Sequence, residues 1–150
     1  MKLSPHFTLA EACATSHPVK NEPKPDDIRR MHVLALHAEV IRAWWCPNYG
    51  MAITSGFRSA ELNLRVNGAK ESAHRYGCAW DLVPLEPGVT VEQIWRWLPY
   101  SGLQYDQAIW EIRPPDPTRG ETEDVHWLHY GIERPGFGLP RKMHFIIDKR

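Results

Sequence analysis

The segment with the clearest chemical content has a histidine in a loop, followed by a carboxylate in an apolar strand. His74 precedes a turn at Gly77, and Asp81 lies within the apolar run at residues 78–83. Burying an unpaired carboxylate is costly, so Asp81 must be protonated or compensated by a cation. A divalent metal shared with His74 would compensate it. An ion pair is the alternative, and the cations that could supply it are Arg58, Lys70 and Arg75.

Two further histidines lie in one predicted strand near the C-terminus. His126 and His129 are three residues apart, so on a strand they point to opposite faces of the sheet. Only one of them can therefore join His74 and Asp81. Two imidazoles, one carboxylate and an open position for water form the donor set of a hydrolytic zinc site. The same set also suits non-haem iron, so an oxygenase is the rival enzyme class.

The elements that must position these residues follow from periodicity and capping signals. Capping boxes at Thr8 and Thr90 each predict a short helix. Apolar residues spaced three and four apart predict a core helix of about five turns from Asp26 to Trp45. A two-turn helix is predicted at 59–66, and strands are predicted at 51–54, 78–83, 105–112, 125–132 and 143–147. Helices first and strands later indicate an α+β fold with an antiparallel sheet and helices packed on one side.

Composition limits the classes of protein to consider. The chain has 150 residues, 43% of them hydrophobic, which fits one domain spanning residues 1–150. Its 18 Lys and Arg balance 18 Asp and Glu, so we expect no nucleic-acid partner. No stretch has the roughly 18 apolar residues of a membrane span, and the N-terminus lacks a signal-peptide pattern. We expect a monomer that is cytoplasmic on synthesis, with Cys13, Cys46 and Cys78 reduced.

Four blocks of the sequence, in order, resemble one known family. The spacing Ser72-x-His74-x-x-Gly77-x-Ala79-x-Asp81 matches the signature of the zinc D-Ala-D-Ala carboxypeptidase and phage L-alanyl-D-glutamate endolysin family, which is related to the hedgehog-type domain. Residues 54–63 resemble its Ser-Gly-Tyr-Arg block, with Phe57 in place of the tyrosine. Residues 105–111 and 127–131 resemble its two later strands. The chain is most similar to the compact, phage-associated branch.

The resemblance implies roles for individual residues. It makes His74, Asp81 and His129 the zinc ligands, and strand alternation supports His129 because Trp127, His129 and Gly131 share a face. Arg58 resembles the arginine that binds a substrate carboxylate or carbonyl. We expect His126 to be a sheet or loop histidine. Ser72 is expected to orient substrate or loop, and a turn-stabilising hydroxyl is the alternative.

The sequence differs from the family pattern at the position of the general base. Several branches have an acidic residue three positions before the last histidine, but His126 occupies that position here. We therefore expect Glu111, on the neighbouring predicted strand, to be the base. The second choice makes His126 the ligand, with Glu123 or Asp124 as the acid. Gly131 also replaces the serine that follows the last histidine in the family.

These expectations combine into one predicted function. The chain should be a zinc metallopeptidase that hydrolyses an amide bond in the peptide part of bacterial peptidoglycan, either L-Ala-D-Glu or D-Ala-D-Ala. It would reach the cell wall after a separate factor permeabilises the membrane, or as part of a virion. The alternative is a non-catalytic cell-wall-binding or virion structural module with a structural zinc. Trp80 and Trp110, in strands beside the predicted site, are expected to form either its wall or the core.

Overall fold

A five-stranded sheet and four α-helices form the body of the protein in a computed structural model that describes residues 1–150. The helices are α1 (Leu9–Ala12), α2 (Pro25–Trp45), α3 (Ala60–Arg65) and α4 (Val91–Trp97). Strands β1 (Lys2–Ser4) and β2 (Phe7–Thr8) form a separate hairpin. The sheet contains β3 (Met51–Ser55), β4 (Ala79–Pro84), β5 (Gln107–Arg113), β6 (Val125–Gly131) and β7 (Met143–Asp148). Its strand order is β3-β4-β6-β5-β7, and the predicted α+β class is confirmed.

The helices begin where local capping chemistry predicts. At α1 the Thr8 hydroxyl accepts from the Glu11 amide at 3.2 Å, while the Glu11 carboxylate accepts from the Thr8 amide at 2.8 Å. Thr90 and Gln93 make the same exchange at α4. Helix α2 begins with Pro25 in its first turn, where a missing amide hydrogen costs nothing. These caps satisfy amide groups that have no partner within the helix.

One hydrophobic core lies between the sheet and the two longest helices. Residues at three- and four-residue intervals on α2 are fully buried, namely Met31, Leu34, Ala35, Ala38 and Ile41. They pack in one connected cluster with the inward face of the sheet, including Trp80, Leu82, Ala108, Leu128 and Tyr130. Trp80 is fully buried, and Trp110 packs against this cluster. Both tryptophans therefore belong to the core side of the sheet.

The edge strand β7 departs from the predicted antiparallel arrangement. The pairs β3–β4, β4–β6 and β5–β6 are antiparallel, but β5 and β7 are parallel. Strand β6 ends at Gly131, opposite Gln107, and β7 begins at Met143 beside the same residue. The connection therefore stays at one end of the sheet, so β7 runs in the direction of β5. The Arg141 guanidinium holds this connection through bonds of 2.9 and 2.7 Å to the Asp106 carboxylate.

Two further features bear on the expectations from sequence. All three cysteines are free thiols, and Cys46 and Cys78 are fully buried. None of the helices combines the length and the apolar character needed to cross a membrane.

Candidate active site

Three side chains with metal-binding atoms meet on the outward face of the sheet. Asp81 on β4 pairs directly with His129 on β6, so their side chains lie next to each other. His74 enters from a 3-10 turn at Ala73–Tyr76 that precedes β4. The Nε2 atom of His74 is 3.2 Å from Nδ1 of His129 and 3.3 Å from Oδ1 of Asp81. Nδ1 of His129 is 3.2 Å from the same Asp81 oxygen, which closes a nearly equilateral triangle.

The size of this triangle matches what a small divalent ion requires. A tetrahedral ion with bonds of about 2.0–2.1 Å keeps neighbouring donor atoms about 3.3 Å apart. The three donor separations of 3.2, 3.2 and 3.3 Å agree with that value. Two imidazole nitrogens and one carboxylate oxygen are also a donor set that zinc accepts in proteins. His74, Asp81 and His129 therefore form a group that could hold a metal ion.

Local backbone geometry fixes the position of His74. The Ser72 hydroxyl accepts from the His74 amide at 3.3 Å and so stabilises the start of the turn. Gly77 ends the turn in the left-handed region, with φ of 69°. A Cβ at that position would lie 2.6 Å from the Asp27 carbonyl oxygen, so only glycine fits there. On the far side of the ring, Nδ1 of His74 lies 2.8 Å from the carbonyl oxygen of Gly56.

Burial and charge keep these groups in states suited to metal binding. His74 is only 2% exposed, and burial lowers its pKa, which favours the neutral ring. Burial alone would raise the pKa of Asp81, but contacts with His74 and His129 outweigh it and hold that pKa below its usual range. Metal ligands must be neutral imidazole and ionised carboxylate. These shifts favour the metal-binding forms of His74 and Asp81.

Glu111 lies on the same face of the sheet as these three residues. All four line one cleft, which has a volume of about 520 Å³. It projects from β5 opposite Trp127, whose indole nitrogen donates to its Oε2 at 2.9 Å. Burial raises the pKa of Glu111, and the negative charge of Asp81 adds to that shift. A carboxylate whose pKa is raised toward neutrality is suited to accept and return a proton.

Arg58 and Ser72 also line the cleft. The Arg58 guanidinium donates to the Ser55 hydroxyl at 3.1 and 3.3 Å and lies 3.8 Å from Oδ2 of Asp81. The ion-pair alternative for Asp81 is therefore present only as this long contact with Arg58. The Ser72 contact seen in the structure is the turn-stabilising one.

The structure separates the other acid and histidine candidates from the cleft. His126 lies on the opposite face of the sheet, where its Nδ1 accepts from the indole nitrogen of Trp110 at 3.0 Å. Glu123 is exposed, and Asp124 contacts Arg150 at 3.2 Å. Neither acid lines the cleft, so the alternative that pairs them with His126 as a ligand does not fit this arrangement.

Several residues that line the cleft were not anticipated as site residues, and four of them bring polar groups from the second half of the chain. Oε1 of Gln107 lies 3.0 Å from Nε2 of His129, and the Trp127 indole holds Glu111. Arg134 and Lys149 line the cleft from the C-terminal connection and the end of β7. Strand alternation could have identified two of them, because Gln107 shares a face with Glu111, and Trp127 shares one with His129.

The α+β fold and a His-Asp-His group that could hold a metal ion in an open cleft are compatible with a metallopeptidase. A family model for Peptidase M15 matches residues 5–109, which is more than half of the chain, and the protein belongs to this family. The matched segment includes Arg58, His74 and Asp81 but ends before Glu111 and His129. The tertiary structure brings those two residues to the matched part of the site. No curated protein matches the chain.

Proposed function

We propose that the protein is a zinc peptidase that hydrolyses an amide bond in the peptide part of bacterial peptidoglycan. The observation that carries the proposal is the triangle of donor atoms from His74, Asp81 and His129, with separations of 3.2–3.3 Å, in the cleft that Glu111 lines. These three residues would hold the zinc. When bound, zinc polarises the scissile carbonyl and lowers the pKa of a water molecule.

Glu111 would act as the general base and then as the general acid. Its carboxylate takes a proton from the attacking water and returns it to the leaving nitrogen, so the proton is conserved over the cycle. The Trp127 indole occupies Oε2, which leaves Oε1 for this transfer. The raised pKa of Glu111 favours this role, because it makes the carboxylate a better proton acceptor.

Arg58 would bind the substrate. Its guanidinium is held by Ser55 at the wall of the cleft, and its planar donors can grip a carboxylate or a carbonyl oxygen. Ser72 would contribute by fixing the turn that carries His74, in keeping with its bond to the His74 amide. Both residues lie in the segment that the family model matches.

Membership of a peptidase family removes the reason for considering an iron oxygenase. A structural zinc is also less well supported, because a connected core of 24 buried residues stabilises the fold without it. The resemblance to the phage-associated branch extends the proposal to an enzyme that meets the cell wall after membrane permeabilisation or on a virion.

The proposal is tested by Glu111→Gln with two measurements. Purified peptidoglycan is digested and the new chain ends are identified by mass spectrometry, while bound zinc is quantified in the same preparations. We expect the parent protein to release peptide fragments or free D-alanine, and Glu111→Gln to be slower by about 10²–10⁴-fold with its zinc retained. Mass spectrometry then distinguishes L-Ala-D-Glu from D-Ala-D-Ala cleavage.

Glu123→Gln is the matched control, because Glu123 is exposed and lies outside the cleft. It should hydrolyse peptidoglycan at the parent rate. Loss of activity in Glu123→Gln but not in Glu111→Gln would assign the base to Glu123. A zinc-loaded parent protein that releases neither peptide fragments nor D-alanine would favour the non-catalytic module.

A further inference from the structure

We propose that Gln107 is a positioning residue whose side-chain oxygen holds the Nε2 proton of His129 and thereby aims the Nδ1 lone pair at His74 and Asp81. The proposal rests on the metal-binding role given to these residues above. Gln107 contacts Nε2 of His129, which is not one of the three donor atoms, so its effect on the cluster is transmitted through His129.

The direction of this hydrogen bond determines the protonation of the ring. Oε1 of Gln107 is 3.0 Å from Nε2 of His129, and an amide oxygen can only accept. With the amide oriented in this way, His129 donates from Nε2. A neutral imidazole has one N–H, so Nδ1 is left as a lone pair. That atom is 3.2 Å from both Oδ1 of Asp81 and Nε2 of His74.

His74 is held in the same manner from the opposite side. The carbonyl oxygen of Gly56 lies 2.8 Å from Nδ1 of His74, so this ring donates from Nδ1 and turns a lone pair at Nε2 toward the cluster. Each histidine is thus anchored through the nitrogen that is farther from the cluster. In this tautomeric state the two ring lone pairs and the Asp81 carboxylate face one another, an arrangement that a cation stabilises.

The two anchors differ in what a substitution can change. The partner of His74 is a main-chain carbonyl, which remains after any substitution at Gly56. The partner of His129 is a side chain, which a substitution removes. Gln107 also sits on a firmly held backbone, because the Asp106 amide donates to the Gly131 carbonyl at 2.7 Å and the Asp106 carboxylate binds Arg141.

The first experiment measures zinc affinity of the full chain by competition with a chromophoric chelator. Gln107→Leu removes the acceptor at similar volume, and we expect zinc binding to weaken about 10–100-fold. Gln107→Glu keeps an acceptor at the same reach and should bind zinc within a few-fold of the parent. Gln104→Leu is the matched control, because Gln104 is exposed and contacts only the Gly102 carbonyl, and its affinity should not change.

The second experiment reads the His129 tautomer directly, by long-range ¹H–¹⁵N NMR on the zinc-free protein. The parent should carry the proton on Nε2, and Gln107→Leu should move population to Nδ1, where the Asp81 carboxylate can accept it. If Gln107→Leu does not fold, Gln107→Asn withdraws the oxygen by one methylene and should shift both readouts in the same direction.

Parent-like zinc affinity in a folded Gln107→Leu protein would overturn the proposal, as would a parent His129 with its proton on Nδ1. A parent protein that binds no zinc would instead overturn the metal site itself. That result is separate from the comparison between variants, so the two failures can be told apart.

Discussion

Replacing Gly56 by alanine should disturb the metal site through the backbone, without changing any residue that faces the cleft. An ideal Cβ at position 56 would lie 2.0 Å from the Ala12 carbonyl oxygen. Such contacts are essentially never shorter than 3.0 Å, so the segments around Ala12 and Gly56 must separate by about 1 Å. The same two segments are joined by the Phe57 amide, which donates to the Ala12 carbonyl at 2.6 Å. That bond would stretch beyond normal hydrogen-bonding distance.

The expected loss of stability follows from these two effects. Overpacking of a tight contact costs about 1–3 kcal/mol, and loss of one internal hydrogen bond costs about 1 kcal/mol. We therefore expect Gly56→Ala to lower the free energy of unfolding by about 2–4 kcal/mol. For a chain of this size, that corresponds to a fall in Tm of about 4–16 °C. Because the Gly56 carbonyl also accepts from His74, zinc affinity should fall as well.

The assay is thermal unfolding by circular dichroism, with and without zinc, together with chelator competition. Gly131→Ala is the control, because a Cβ there would meet its nearest neighbour, the Cys78 carbonyl oxygen, at 3.3 Å. It should cost less than Gly56→Ala. A Gly56→Ala protein with parent Tm and parent zinc affinity would refute the reasoning, since the close approach to Ala12 would then not determine where His74 lies.

Three further predictions concern pH, an ion pair and the metal. Trp127→Phe removes a hydrogen bond that lowers the pKa of Glu111, so the acid limb of the pH profile of kcat/KM should move to higher pH. If the acid limb stays at the same pH, Glu111 is not the base. Asp106→Asn should lower the free energy of unfolding at pH 7 by about 1–3 kcal/mol, measured by urea denaturation, because the carboxylate that binds Arg141 is lost. The pKa of Asp106 is lowered in the folded state, so its contribution to stability is present above its unfolded pKa and disappears as the pH falls through its folded pKa. The free energy of unfolding of the Asn variant should therefore decline less steeply in acid than that of the parent. An equally steep decline would contradict this reasoning. Zinc at 100 times its Kd should stabilise the parent by about 2.7 kcal/mol, with a rise in Tm of about 5–10 °C that a chelator reverses. The same zinc concentration should raise the Tm of His129→Ala much less. An equal rise in Tm would exclude His129 as a ligand.

Patterns of short range in the sequence were sufficient to predict most of the elements. Helix starts and helix periodicity depend on residues only a few positions apart. The capping boxes at Thr8 and Thr90 and the apolar spacing of α2 could therefore be identified without knowledge of distant contacts. Strand alternation likewise placed His126 and His129 on opposite faces, as the structure shows. The cost of burying Asp81 already suggested a metal shared with His74, and the resemblance added the class of enzyme and the roles of the individual residues.

Which strands pair, and in which direction and register, could be determined only from the tertiary structure. The parallel pairing of β7 depends on where the connection after Gly131 returns, which no local pattern encodes. The contacts of Gln107 with His129 and of Trp127 with Glu111 depend on the register of β5 against β6. A shift of one residue would turn each of these side chains to the other face of the sheet. Residue types thus defined the chemistry available to this protein, whereas strand register decided which groups meet, because a side chain's neighbours on a sheet come from other strands.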